Sequence, residues 1–67
     1  MTLKVNGKIV KLDSPITIQR LLEHFQVTQS KGIAVAVNYS VVPRAQFEKK
    51  ELKEGDAVEI IRAVQGG

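Results

Sequence analysis

Apolar and polar residues alternate on both sides of Asn6-Gly7, so that Leu3, Val5, Val10 and Leu12 share one face while Lys4 and Ile9 share the other. An Asn-Gly pair between two such runs is the strongest short hairpin signal, because both loop positions need positive φ. This loop sets Val5 opposite Lys8 and Leu3 opposite Val10. Ser14-Pro15 breaks the second strand, and the period then changes. Ile18, Leu21, Leu22 and Phe25 follow i, i+3, i+4, i+7 spacing, which predicts the buried stripe of a helix with Thr17 as its N-cap. Gln19, Arg20, Glu23, His24 and Gln26 fall on the opposite side. Arg20 occupies the place where a capping box would put Glu or Gln, so the reciprocal half of the box is missing.

The polar stretch Thr28 to Gly32 is expected to end the helix. Ile33, Val35 and Val37 then alternate with Ala34 and Ala36, the pattern of a strand with one large-residue face and one small-residue face. Asn38-Tyr39-Ser40 reads as a turn, and Val41-Val42 as a short strand that Pro43 stops or confines to a sheet edge. Phe47 and Leu52 are isolated apolar anchors in a charged connection. Glu54-Gly55-Asp56 turns the chain into a last strand, with Val58 and Ile60 pointing one way and Glu59, Ile61 and Ala63 the other. The order ββ-α-ββ-β predicts an α+β fold of β-grasp type, a mixed sheet of four to five strands packed on one helix. In such a fold the first and last strands lie side by side and parallel, and the chain leaves from the centre of the sheet. Residues 1–67 read as a single domain with a flexible C-terminal tail at 64–67, and no internal repeat is visible.

Composition narrows what this domain can do. At 67 residues the chain is near the lower limit for one self-sufficient core. Cysteine is absent, which excludes disulfides, thiolate metal sites and a cysteine nucleophile. The net charge of +3 invites a nucleic-acid partner, but Lys49, Lys50 and Lys53 are interleaved with Glu48, Glu51 and Glu54 as on a solvated surface. Phe25, Tyr39 and Phe47 leave little for base stacking once a core has taken its share, so no nucleic-acid partner is expected. No apolar run approaches the ~20 residues of a membrane span, and no long apolar stretch follows Met1 as a signal peptide requires. The expected location is the cytoplasm, with no membrane partner.

Side chains offer little chemistry. A lone His24 on the polar side of the helix builds no metal site, the glutamates read as surface charge, and Asp56 reads as a turn residue bonding local backbone. No Gly-rich phosphate loop is present, so the chain is not expected to be an enzyme. What remains is the end, Val64-Gln65-Gly66-Gly67. Paired glycines cost more ordering entropy than other residues and pack no side chain, but they make a thin strip that can thread a channel any Cβ would block. With an ordinary α-carboxyl pKa of about 3.5, the Gly67 carboxylate is an anion at pH 7 and a poor acyl electrophile. Chemistry there needs activation, most simply by ATP to an acyl-adenylate, from which a sulfur nucleophile displaces AMP.

Asn38, then Val41-Val42-Pro43-Arg44, Phe47, Leu52-Lys53-Glu54-Gly55-Asp56, Val58-Glu59-Ile60-Ile61 and Val64-Gln65-Gly66-Gly67, in that order, closely resemble the ThiS family. These are ubiquitin-like β-grasp sulfur carriers of thiamin biosynthesis. The resemblance covers nearly the whole chain, including the Leu21-Leu22 helix. It departs at Tyr39-Ser40, where many relatives carry a more polar turn. It implies that a ThiF-like enzyme, using its own ATP and Mg, adenylates Gly67. Sulfur from a cysteine desulfurase then gives a thiocarboxylate, which donates sulfur to thiazole synthase; the carrier itself binds no cofactor. Two neighbouring families share the tail: the small subunit of molybdopterin synthase, which tends to be longer and usually lacks the Val-Pro-Arg segment, and ubiquitin-like modifiers joined to target lysines through their terminal glycine. Partners must also grip the domain. Ala34, Ala36, Ile61 and Ala63 fall on the sheet face away from the helix, on two strands that neighbour each other in a β-grasp sheet, and form the expected docking patch.

Overall fold

The computed structural model describes residues 1–13, 15–27 and 32–62. Expectations that fall on Ser14, on residues 28–31 or on residues 63–67 lie outside the described residues. Strand β1 (Thr2–Val5) and strand β2 (Lys8–Lys11) form the first hairpin, with Val5 opposite Lys8 and Leu3 opposite Val10. Asn6 and Gly7 supply the two left-handed turn positions, at φ of 51° and 82°. The alternation sorts the faces as expected: Leu3 and Val5 are buried, whereas Ile9 is 62% exposed.

Helix α1 (Ile18–His24) starts where its donors find acceptors. The Thr17 hydroxyl accepts from the Arg20 N–H at 3.2 Å. The two preceding amides are taken up from far along the chain: Ile18 N–H donates to the Lys50 carbonyl at 3.1 Å and Gln19 N–H to the Phe47 carbonyl at 2.9 Å. The helix ends earlier than its apolar stripe suggests. Gln26 takes φ of 60°, and its N–H donates to the Glu23 carbonyl at 2.9 Å while Val27 N–H donates to the Leu22 carbonyl at 2.8 Å. That pair of bonds is a Schellman closure built on Gln where Gly is usual. Phe25 therefore caps the helix instead of extending its buried face. It is 40% exposed, with its ring edge-on to His24 at 5.2 Å between centroids.

Strands β3 (Ile33–Val37), β4 (Ser40–Val42) and β5 (Ala57–Arg62) complete a five-stranded sheet in the order β2-β1-β5-β3-β4. Strand β5 lies at its centre, parallel to β1 and antiparallel to β3. This is the β-grasp arrangement. The turn between β3 and β4 is tighter than expected: Asn38 and Tyr39 form a two-residue loop at φ of 51° and 71°, and Ser40 already pairs with Val37. Strand β4 is an edge strand and stops one residue before Pro43, where a missing N–H costs nothing.

The core joins Leu3, Val5 and Val58, Val35 and Val37 of β3, and Ile18, Leu21 and Leu22 of α1. Phe47 and Leu52 close it from below the sheet, at 2% and 1% exposure. A single 3₁₀ turn, Arg44–Gln46, delivers Phe47, and Leu52 N–H donates to the Ile16 carbonyl at 2.9 Å. The charged connection is thus pinned by two apolar side chains and by the helix's own unsatisfied amides.

Candidate functional site

Strand β5 positions everything that leads toward the tail. Its alternation puts Val58 in the core and leaves Glu59 and Ile61 on the face turned away from α1. On that face Ile61 is 55% exposed and sits directly opposite Ala34 of β3, itself exposed. One strand further, Val41 of β4 pairs with Ala36 and is 75% exposed. Ile61 and Ala34 are therefore direct cross-strand neighbours, whereas Val41 lies on the next strand, two residues out of register with them and in the row of Ala36 and Glu59. Tyr39, 87% exposed, stands at the tip of the adjoining hairpin.

The expected docking residues are placed unequally. Ala34 and Ile61 are exposed and paired. Ala36 contributes little surface, because it is 7% exposed between Val41 on one side and Glu59 on the other in register. A methyl group between two longer neighbours is simply covered by them. Ala63, and the tail residues Val64, Gln65, Gly66 and Gly67, lie outside the described residues. Sequence reasoning overlooked Val41. Its signal was available: in a strand ending at Pro43, the residue paired with Ala36 must share the small-residue face.

The polar groups near β5 hold structure. Asp56 Oδ2 accepts from Lys53 N–H at 2.8 Å and its Oδ1 accepts from Asn38 Nδ2 at 3.0 Å. This is the local-backbone role expected of a turn aspartate. Glu54 Oε1 accepts from Thr2 N–H at 3.0 Å, so this surface carboxylate also ties β1 to the turn before β5. Glu48, Glu51 and His24 are exposed. Among the described residues every buried side chain is apolar, no three His, Cys, Asp or Glu side chains come together as a metal site, and no helix is long and apolar enough to cross a membrane. The described part of the domain presents a surface, and β5, which carries Ile61, ends at Arg62, five residues before Gly67 in the sequence.

The model of the ThiS family matches residues 3–67. The chain is 35% identical over 66 residues to the sulfur carrier protein ThiS of Bacillus subtilis (strain 168), covering 97% of this chain and 98% of that protein. It is also 30% identical over 67 residues to a thiazole synthase of Paramagnetospirillum magneticum (strain ATCC 700264 / AMB-1), where it covers 100% of this chain but 20% of the relative. Among solved structures, the crystal structure of the thiamine biosynthesis protein ThiS from Geobacter metallireducens is similar at a TM-score of 0.85 and 35% sequence identity, with 100% of both chains covered.

Proposed function

The chain belongs to the ThiS family and is a sulfur carrier of thiamin biosynthesis; on that premise we propose that Gly67 is the residue that carries the sulfur. A carboxylate oxygen of Gly67 attacks the α-phosphorus of ATP, forming the acyl-adenylate and releasing pyrophosphate. The terminal sulfur of a partner's cysteine persulfide then attacks the acyl carbon, the carbon–oxygen bond to AMP breaks and an acyl disulfide forms. A second thiol, which this cysteine-free chain must take from a partner or a thiol reductant, cleaves the sulfur–sulfur bond, so that a disulfide forms and the thiocarboxylate is released. A ThiF-like enzyme holds the ATP and Mg, and a cysteine desulfurase is the source of sulfur. Thiazole synthase takes the sulfur and regenerates free Gly67. The chain acts as a co-substrate in the cytoplasm and is not itself an enzyme.

The observation that carries this reading is the continuity of surface and tail. Ile61 and Ala34 form an exposed apolar pair on β5 and its neighbour β3, with Val41 exposed on β4 beyond them, and the chain of β5 continues in sequence to Gly67. Five residues follow Arg62. Fully extended they reach at most about 18 Å, enough for the domain to dock at one place and react at another. Support for thiazole synthase as the acceptor comes from the relative of that name, a fifth of which matches this whole chain.

Reconstitution tests the reading. With Mg-ATP alone the chain should release no pyrophosphate. Adding a ThiF-type enzyme should start release that depends on Gly67, and thiazole synthase with its other substrates should discharge the loaded carrier. Pyrophosphate release by the chain alone, or discharge only to molybdopterin synthase, would contradict it. Docking has its own test. Ile61→Glu places a charge on an already exposed position, so circular dichroism and melting should match the wild type within a few degrees. Binding to the adenylating enzyme, followed by calorimetry, should weaken about tenfold or more. Unchanged affinity would remove Ile61 from the interface.

A further inference from the structure

Strand β5 is not held equally on its two sides. Toward β3 it is paired along its length, from Val37 opposite Val58 to Ile33 opposite Arg62. Toward β1 the strand pairing ends at Val5 opposite Val58. Beyond that point the chain of β1 turns away into its hairpin. One residue continues the ladder. Asn6 N–H donates to the Val58 carbonyl at 2.8 Å, as the next residue of a parallel strand would. In an unbroken ladder the Asn6 carbonyl would then accept from Ile60 N–H, but with φ of 51° the main chain has left the strand. The side chain takes over. Asn6 Oδ1 accepts from Ile60 N–H at 2.8 Å, and Asn6 Nδ2 donates to the Ile60 carbonyl at 3.3 Å.

The same device stands at the opposite end of β5, on the opposite side. Asn38, also at φ of 51°, donates its N–H to the Ala57 carbonyl at 2.7 Å, and its Oδ1 accepts from Ala57 N–H at 3.0 Å. Each hairpin thus begins its turn with an asparagine whose amide group stands in for a strand residue against β5. Asn38 secures the beginning of the strand, and Asn6 secures Ile60, two residues before Arg62.

We propose that Asn6 is a positioning residue for loading of the tail: its side-chain amide gives β5 a second, surrogate strand partner at Ile60 and so fixes the point and direction from which residues 63–67 depart. The proposal rests on Gly67 being the loaded residue. When the domain is docked through its exposed sheet face, the tail must reach an active site across a gap of fixed length. A root held on one side only spreads the tail over more directions and lowers the fraction that arrives in a reactive pose. Asn6 acts through β5 and touches no reacting atom.

Asn6→Gly isolates this role, because Gly-Gly is also a native pair for this hairpin loop and the turn is kept while the amide is removed. Asn6→Asp keeps an acceptor for Ile60 N–H, and Asn38→Gly removes the equivalent bonds at the far end. Amide exchange of Ile60 should quicken about tenfold in Asn6→Gly, the size expected for losing one net hydrogen bond. Adenylation by a ThiF-type enzyme should show kcat lowered about tenfold with KM for the carrier within about twofold, since docking is retained. Asn6→Asp should stay within about twofold of wild-type kcat, and Asn38→Gly should lose stability without losing kcat. Wild-type kcat in Asn6→Gly would overturn the proposal. So would an equal loss in Asn38→Gly, which would trace the effect to global destabilisation. Failure of the wild-type chain to load would instead overturn the Gly67 reading. The Ile60 exchange rate needs no enzyme and separates the two cases, because equal rates in wild type and Asn6→Gly mean that Asn6 does not hold the strand.

Discussion

Removal of Gly67 alone should abolish pyrophosphate release and sulfur loading by a ThiF-type enzyme while leaving the melting temperature of the domain within a degree or two. Adenylation needs the carboxylate at one position. Shortening the chain moves it by one residue, about 3.5 Å, which is more than a reaction geometry tolerates. Stability should not follow, because among the described residues the buried side chains run from Leu3 to Val58 and the pairing of β5 extends to Arg62. Gly66→Val should give the same phenotype by a different route, since it keeps the carboxylate but adds a β-branched side chain to the strip that enters the partner. Normal loading of either variant, assayed by pyrophosphate release, would show that the thin tail is not what the partner selects. A large fall in melting temperature would show that the tail supports the fold.

Phe47→Ala should have the largest effect on the fold, a loss of about 3–5 kcal/mol in chemical denaturation. A domain of 67 residues has a total stability of roughly 3–10 kcal/mol, so the loss removes about a third of it or more. Phe47 is the largest fully buried side chain, and its carbonyl also receives the Gln19 N–H of the helix's first turn. Its backbone bond survives truncation to Ala, so the loss measures packing and the cavity left behind. A change below about 1 kcal/mol would mean that the connection after Pro43 closes the core by some other contact.

Where side-chain period decided the outcome, the sequence was legible. The register across Asn6-Gly7, the burial of Ile18, Leu21 and Leu22, and the opposite faces of Val35 and Ala34 or Val58 and Ile61 all follow from alternation or from 3.6-residue spacing. The central, parallel placement of β5 followed from element order. Phe25 escaped, because its position in the stripe is cancelled by a closure one residue later, at a glutamine that carries no glycine signal. The helix N-terminus was half legible. Thr17 is a local cap, whereas the acceptors for Ile18 and Gln19 are carbonyls about thirty residues away that no local pattern announces. Asn6 and Asn38 show the same limit from the other direction. Each could be read as a turn residue, but the bonds their side chains make to Ile60 and Ala57 exist only after β5 has come to lie between the two hairpins. The exposure of Ala34 and Ile61 was legible by alternation, while the burial of Ala36 depends on the length of its cross-strand neighbours.

The central claim is that Gly67 carries sulfur, and intact-mass spectrometry of the chain before and after incubation tests it most directly. After treatment with Mg-ATP, a ThiF-type enzyme, a cysteine desulfurase with cysteine and a thiol reductant, the whole chain should gain the mass of one sulfur in place of one oxygen. The change should map to the C-terminal peptide, be absent from the chain lacking Gly67, and reverse when thiazole synthase and its other substrates are supplied. An unchanged mass, a sulfur gained elsewhere in the chain, or a ladder of covalent protein conjugates through Gly67 would contradict it.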